Sequence, residues 1–502
     1  MSDISGRFFF TLLVNIVKAI LGFSVGLLLA KGLGPVDYGR FSFLLATFLS
    51  TISLLDMGTS NAFFTFISKT KQSINFYYYY FTWVLLQLLI GFLLIYAVTP
   101  DHILATLFVG EQQNIVLLAF IAAFFQQQLW TLLSHLAEAC RQTIKIQRLN
   151  LGIALCNFLF VTVLYYTNKL SIENVMAFII FQYICALFSF WLLIYDKNDL
   201  ISNKESESLS SIFSKFKVYC APLMVFVFFS FAYRFLDAWM LQHYGGAKEQ
   251  AYFAISSKIA SISLIFTTSL IRILWKEIAD AEQKGDADKV HTLYRQSTRT
   301  LYFISAAICG IILPWAEQLI DVLLGEQYQD AVIPFTIMLI YPVHQSLGQI
   351  NGTMFYAIEQ TKTYSKIGVA GMISSVFFTY LLLSNDNKFL PGQDMGSEGL
   401  AYKMIFLQVL TVNVGMYFIA KIQKWQYDWF YQVYMLCVTI FSGYIAYTIA
   451  NYFDYSIYTL FIISGVIYII LIICLVLIFS INFFNINRDI LINKIFYRKA
   501  TK

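Results

Sequence analysis

The chain has 502 residues, of which 59% are hydrophobic and only 13% are charged, and its mean hydropathy is +0.67. The core of a water-soluble chain of this length does not need so many apolar residues, so the composition excludes that class and predicts a polytopic membrane protein. The net charge of +5 is spread over many loops and forms no patch that would bind nucleic acid.

The first element is predicted to be a membrane hairpin. Apolar runs at 8–30 and 41–67 are each long enough to cross about 30 Å of hydrocarbon at about 1.5 Å per residue. Between them, Gly34 and Pro35 are expected to stop the first helix, because glycine accepts positive φ and proline biases the preceding residue away from helix. We expect the turn at 34–41 to lie on the outer face, as an architectural or gating corner.

Apolar runs of similar length continue to the end of the chain. They predict an all-α polytopic fold with about fourteen transmembrane helices, at 8–30, 41–67, 76–98, 114–137, 149–167, 172–195, 218–243, 251–275, 300–323, 331–358, 364–384, 397–420, 429–450 and 456–482.

Lysine and arginine are concentrated in alternate loops, such as 276–299, whereas the loops at 99–114 and 316–330 carry acidic residues and no basic ones. Because basic loops stay in the cytoplasm, this bias predicts that both termini are cytoplasmic.

A serine- and charge-rich linker at 196–217 is predicted to join two six-helix halves, at 1–195 and 218–420. The remaining segment, 421–502, is predicted to hold two extra helices and a basic cytoplasmic tail.

A weak internal repeat supports two pseudo-symmetric halves. The glycine-containing turn at 34–41 follows the first predicted span, and a similar turn at 245–253 follows the seventh. Six spans separate the two copies, so both hairpins have the same orientation, as in transporters with parallel halves.

The sequence contains none of the common motifs for catalysis or metal binding. Five histidines are scattered, there is no H-E-x-x-H or G-x-S-x-G, and no Walker-type loop for ATP. Seven cysteines lie singly, which predicts neither a disulfide framework nor a metal site. We therefore expect a transporter rather than an enzyme, without a cofactor.

Ionisable residues inside the apolar runs are the first candidates for a site, because each is unfavourable by about 2.5 to 3.5 kcal/mol at the centre of a membrane helix. Lys18 lies too deep to reach the headgroups comfortably, so it should face a cavity or pair with Asp56. Arg234 and Asp237 share a helix face, which fits either a diphosphate anchor or a structural ion pair. Lys258 is expected to reach a cavity as well.

Amide side chains form a second group of candidates. Gln126 belongs to a glutamine cluster on the fourth predicted span, and Gln349 and Asn351 lie on a polar face of the tenth. Such faces fit contacts to a sugar, and amide-mediated packing between helices is the alternative.

The stretch AKGLGPVDYGRF at 30–41, followed by LDMG at 55–58 and by Gly245, Tyr252 and Phe253 on the second hairpin, carries a family resemblance. The chain resembles the Wzx-type polysaccharide repeat-unit flippases, or O-antigen translocases, of the multidrug/oligosaccharidyl-lipid/polysaccharide exporter superfamily. The resemblance implies a MATE-like fold and a role in making surface polysaccharide such as lipopolysaccharide.

The implied activity is translocation of an undecaprenyl-pyrophosphate-linked oligosaccharide from the inner to the outer leaflet of the bacterial cytoplasmic membrane. It would proceed by alternating access, driven by proton or sodium antiport, with polymerase and chain-length proteins of the same pathway as candidate partners. The expected roles are contact with diphosphate or sugar for Lys18, Arg234, Lys258, Gln126, Gln349 and Asn351, and ion coupling for Asp56 and Asp237.

Two other functions stay open. A MATE-like exporter of drugs or small cations would favour acidic rather than basic cavity residues. A membrane glycan polymerase would be expected to place arginines in a long outer loop, whereas the predicted outer loops are short.

Overall fold

In the computed structural model, residues 2–193, 207–385, 391–426 and 429–478 are described. Every regular segment within them is helical. Twelve helical segments of this part of the chain are long and apolar enough to cross a membrane, as expected of a multi-pass membrane protein. Two of these, Phe10–Asp56 and Leu209–Ser263, are 47 and 55 residues long, and each overlaps two of the predicted apolar runs.

The helices up to the linker are α1 to α8. Their bounds are Ser2–Asp56 (α1), Thr59–Lys69 (α2), Ile74–Leu93 (α3), Asp101–Leu107 (α4), Gln113–Phe124 (α5), Trp130–Ala139 (α6), Thr143–Tyr166 (α7) and Ile172–Leu193 (α8). Short π-helical segments follow α3 at Leu94–Val98 and α5 at Phe125–Leu129.

After the linker the chain forms α9 to α19. Their bounds are Leu209–Met240 (α9), Gly246–Ala260 (α10), Leu264–Gln283 (α11), Ala287–Ile312 (α12), Ala316–Leu324 (α13), Val332–Met338 (α14), Tyr341–Ala357 (α15), Thr361–Leu383 (α16), Gly396–Gln423 (α17), Phe430–Ala450 (α18) and Ile457–Ile478 (α19). A π-helical segment at Leu241–Gly245 joins α9 to α10, and 3-10 turns lie at Ser261–Ser263, Leu313–Trp315 and Glu326–Ala331.

Helix α1 folds back on itself at Gly34, whose φ of 73° and ψ of 171° are not helical. Lys18 on the first arm lines a cavity with Gln126, while Asp56 on the second arm accepts a hydrogen bond from Gln128, two residues further along the same segment. In a straight helix Lys18 and Asp56 would lie roughly 57 Å apart. Both can reach neighbouring glutamines only because the chain turns, so the predicted hairpin is confirmed.

The second arm of the hairpin does not continue as one helix over the predicted run 41–67. It stops at Asp56, and Met57 and Gly58 adopt φ values of 51° and 81° before α2 begins at Thr59. The apolar run 41–67 did not predict this interruption. It arises because Met57 and Gly58 both have a left-handed backbone conformation.

The turns of the two repeats meet in the structure. Gly246, with φ of 82°, is the first residue of α10 after the π-helical segment, and Ala247 then lies directly against Gly39. A Cβ atom on Gly39 would lie 1.7 Å from the carbonyl oxygen of Ala247. Only glycine allows this approach of the two backbones.

The contacts within the chain define two compact units, Met1–Ile255 with Met372–Leu400 and Ser256–Gly371 with Ala401–Lys502. The predicted division at 1–195, 218–420 and 421–502 stays a prediction. Residues 196–206 of the predicted linker and 479–502 of the predicted basic tail lie outside the described residues, and α9 begins at Leu209 within the rest of that linker.

The second unit is built around α12. Gly310 on this helix packs against the backbone of α18, where an added Cβ would lie 2.5 Å from the carbonyl oxygen of Thr439. The Tyr302 hydroxyl donates to the carbonyl oxygen of Gln432 at 3.0 Å. Small residues and interhelical hydrogen bonds therefore hold these helices together, as is typical of packing within a membrane.

Candidate functional site

A polar cavity of about 210 Å³ lies inside the first unit. Residues of α1, α6, α7, α8 and the π-helical segment after α5 line it, and its polar side chains are Lys18, Gln126, Trp130, Asn150, Asn157, Gln182 and Tyr183. No carboxylate is among the residues that line it. The lining therefore combines one positive charge with several amides.

Lys18 supplies the charge. It is half-buried, and among the residues that the structure describes none forms an ion pair or hydrogen bond with its ammonium group. The alternative that Lys18 pairs with Asp56 is therefore wrong. The Asp56 carboxylate instead accepts a hydrogen bond from Gln128. A cation without a protein partner at this depth is unfavourable unless water or an anionic ligand reaches it.

The π-helical segment Phe125–Leu129 places Gln126 in the cavity. Single-turn π-helical insertions occur often at functional sites, where they redirect side chains. Gln128 instead points to the other arm of the hairpin, where its Nε2 donates to Asp56 Oδ1 at 3.0 Å. This π-helical turn therefore contributes Gln126 to the cavity and a hydrogen bond from Gln128 to Asp56, where α1 ends.

Asp56 is the last residue of α1, and its side chain accepts hydrogen bonds from the first turn of α2. Its Oδ1 accepts hydrogen bonds from Thr59 Oγ1 at 2.9 Å, from the Ser60 backbone N–H at 3.0 Å and from Ser60 Oγ at 2.7 Å. The carboxylate accepts from one otherwise unpaired N–H group of the first turn, that of Ser60, and interacts favourably with the helix dipole. The geometry gives Asp56 a capping role, while its predicted role in ion coupling stays a prediction.

Arg234 and Asp237 have different partners, which corrects the direct ion pair expected from their spacing. Arg234 is exposed, and its Nε donates to the hydroxyl of Tyr233 at 3.3 Å. Asp237 is 9% exposed and accepts a hydrogen bond from Thr379 Oγ1 at 2.6 Å. Asp237 therefore remains a buried carboxylate on α9, held by α16.

The predicted residues of the second unit are Lys258, Gln349 and Asn351. Lys258 and Gln349 are half-buried. Asn351 is buried, accepts from the Tyr294 hydroxyl at 2.9 Å and donates to the Val412 carbonyl oxygen at 2.9 Å. These bonds join three helices, so for Asn351 the geometry favours packing over contact with a ligand.

Sequence reasoning missed the amides on α7 and α8. Asn150 and Asn157 are seven residues apart and thus share a face of α7, and Gln182 lies within the sixth apolar run. A search for polar residues at helical spacing in these runs would have found them. The same search would have found Lys403 of α17, which is 1% exposed.

No family model matches the chain, and no curated protein matches it either. Solved structures do match its fold. A lipid II flippase MurJ in an inward closed conformation has a TM-score of 0.66 and 14% identity, over 92% of this chain and 98% of that one.

Two structures of a multidrug resistance MATE family transporter of the MOP superfamily also match. The inward-facing conformation has a TM-score of 0.56 and 14% identity over 82% of this chain and 96% of that one. The outward-facing conformation has a TM-score of 0.50 and 13% identity over 83% of this chain and 94% of that one. The chain therefore has the all-helical membrane fold found in these flippase and transporter structures.

Proposed function

We propose that the protein is a flippase that moves an undecaprenyl-pyrophosphate-linked oligosaccharide repeat unit from the inner to the outer leaflet of the bacterial cytoplasmic membrane. The observation that carries the proposal is Lys18, a membrane-embedded cation in a polar cavity with no described protein partner. A diphosphate is an anion that such a group attracts strongly where water is scarce.

The rest of the cavity lining supports a glycan as the other part of the substrate. Hydroxyl groups of a sugar both donate and accept hydrogen bonds, and amide side chains offer both partners. The fold supports transport, because the flippase and transporter structures described above share it.

Export of drugs or small cations is the second candidate, and the fold favours it through its likeness to MATE transporters. The charge of the cavity opposes it. A site for cations favours acidic over basic side chains, because complementary charge attracts the ligand and like charge repels it, whereas the residues that line this cavity include a lysine and no carboxylate.

We further propose that transport proceeds by alternating access, that both termini are cytoplasmic, and that a proton or sodium gradient drives it. Asp56 and Asp237 are the carboxylates proposed to couple the ion. Polymerase and chain-length proteins of the same pathway are proposed as partners.

Cells depleted of the protein provide the test. Lipid-linked repeat units should accumulate unpolymerised in the inner leaflet, where an enzyme added to inside-out vesicles can reach them. Repeat units that appear normally on the outer face of depleted cells would rule out the proposed function.

A further inference from the structure

The cavity of the first unit contains more hydrogen-bonding capacity than the protein uses. Gln126, Asn157 and Gln182 line it, and none of their amide side chains forms a hydrogen bond with any residue in the described part of the chain. Asn150 differs, since its Oδ1 accepts from Trp130 Nε1 at 2.9 Å. Three amides on three different segments therefore face one cavity without a protein partner.

Gln182 is the most constrained of the three. It is 6% exposed, and its Oε1 is fully buried without a hydrogen bond. A buried amide without partners is unfavourable, and one that lines a cavity can be satisfied there by water or by a ligand. Half a turn of the terminal amide exchanges its oxygen and nitrogen, and a hydroxyl group satisfies either orientation because it both donates and accepts.

An apolar occupant does not explain this lining. Lipid tails offer no hydrogen-bond donor or acceptor, and a diphosphate offers only acceptors, which would leave the amide oxygens unsatisfied. A ring that carries several hydroxyl groups satisfies amides from several directions. The aromatic pair Trp130 and Tyr183, with ring centroids 5.7 Å apart, adds an apolar surface to the same cavity.

We propose that Gln182, with Gln126 and Asn157, forms a subsite for the sugar ring next to the diphosphate, and that Gln182 determines specificity for a hydroxylated ring. This inference rests on the proposed function, because it assigns the diphosphate of the same substrate to Lys18. Lys18 then binds the diphosphate, which every such lipid carries, and the amides bind the sugar.

The experiment measures binding of two probes to the full chain in lipid nanodiscs. One probe is undecaprenyl diphosphate alone, and the other is undecaprenyl diphosphate that carries a single hexose. The wild-type protein should bind the hexose-bearing probe about tenfold or more tightly than the bare lipid, which is the effect of one hydrogen bond worth about 1.4 kcal/mol. Gln182→Met, which keeps the volume and removes the amide, should abolish that preference, so that the two probes bind with similar affinity.

Gln147 provides the matched control. It lies on α7, is 8% exposed, and its buried Oε1 also has no hydrogen bond, but it does not line the cavity. Gln147→Met should therefore keep the preference for the hexose-bearing probe. Asn157→Leu, at a half-buried position, tests the subsite independently if Gln182→Met does not fold.

The outcomes separate the two proposals. Equal binding of both probes by the wild-type protein, or a preference that survives Gln182→Met in folded protein, overturns the sugar subsite and leaves the flippase proposal standing. If Gln182→Met does not fold, a preference that survives Asn157→Leu has the same consequence. Binding of neither probe by the wild-type protein overturns both.

Discussion

Replacement of Gly39 by alanine tests whether the two repeat turns pack as closely as described. The new Cβ atom would lie 1.7 Å from the Ala247 carbonyl oxygen, whereas ordinary van der Waals contact begins at 3.4 Å, so one backbone must move by about 1.7 Å. Overpacking usually destabilises by about 1 to 3 kcal/mol, and a clash between two backbones belongs at or above the upper end.

The expected destabilisation is opposite in sign to the usual effect of replacing a helical glycine by alanine. Glycine to alanine within a helix normally stabilises by about 1 kcal/mol, through helix propensity alone. Gly152 on α7 is the matched control, because a Cβ atom there meets nothing within 4 Å. Gly39→Ala should therefore lower the midpoint of thermal unfolding of the purified protein, while Gly152→Ala should leave it unchanged or raise it.

The assay is thermal unfolding of both variants in the same detergent, followed by intrinsic fluorescence. A midpoint for Gly39→Ala equal to or above that of Gly152→Ala would refute the close packing of the two turns. Cell growth or transport alone does not decide the matter, because a loosened corner can still allow turnover.

Two further predictions concern the carboxylates of Glu111 and Asp56. Arg40 binds Glu111 through two parallel hydrogen bonds of 2.7 Å, so Arg40→Lys should lower the free energy of unfolding by about 1 to 3 kcal/mol. As a control, Lys215→Ala breaks the partly exposed ion pair with Glu207 and should change the free energy of unfolding by less than about 1 kcal/mol. Equal effects of the two variants in thermal unfolding would contradict the reasoning. Asp56→Asn should keep the hydrogen bonds that cap α2 and leave the midpoint of thermal unfolding unchanged. Asp56→Ala should lower the free energy of unfolding by about 1 to 2 kcal/mol. If Asp56→Asn folds normally and still transports, the proposed ion-coupling role is refuted.

The hairpin was predictable because its signals are local. Gly34 and Pro35 disfavour continued helix through their own backbone preferences, and the apolar runs on either side set the lengths of the two arms. The all-helical class follows equally from the lengths of the apolar runs. None of these inferences needs knowledge of a distant contact.

The site was predictable only in part, because its lining comes from distant segments. Lys18 and Gln126 were identified by the unfavourable placement of polar groups in apolar runs, but nothing local connects them to Gln182. Asp56 looked like an isolated membrane carboxylate, and only the break at Met57 shows that it caps α2. Spacing alone cannot give these partners, since tertiary packing sets them.

The central claim is that Lys18 binds the diphosphate of a lipid-linked glycan during transport. The most direct measurement is the flipping rate of a fluorescent undecaprenyl-diphosphate oligosaccharide in vesicles that contain the wild-type protein, Lys18→Gln or Lys18→Arg. A charge-assisted hydrogen bond contributes about 1.5 to 3 kcal/mol, so Lys18→Gln should slow flipping by roughly tenfold or more, and Lys18→Arg should retain most of it. A flipping rate for Lys18→Gln equal to that of the wild-type protein, at equal protein content, would contradict the claim.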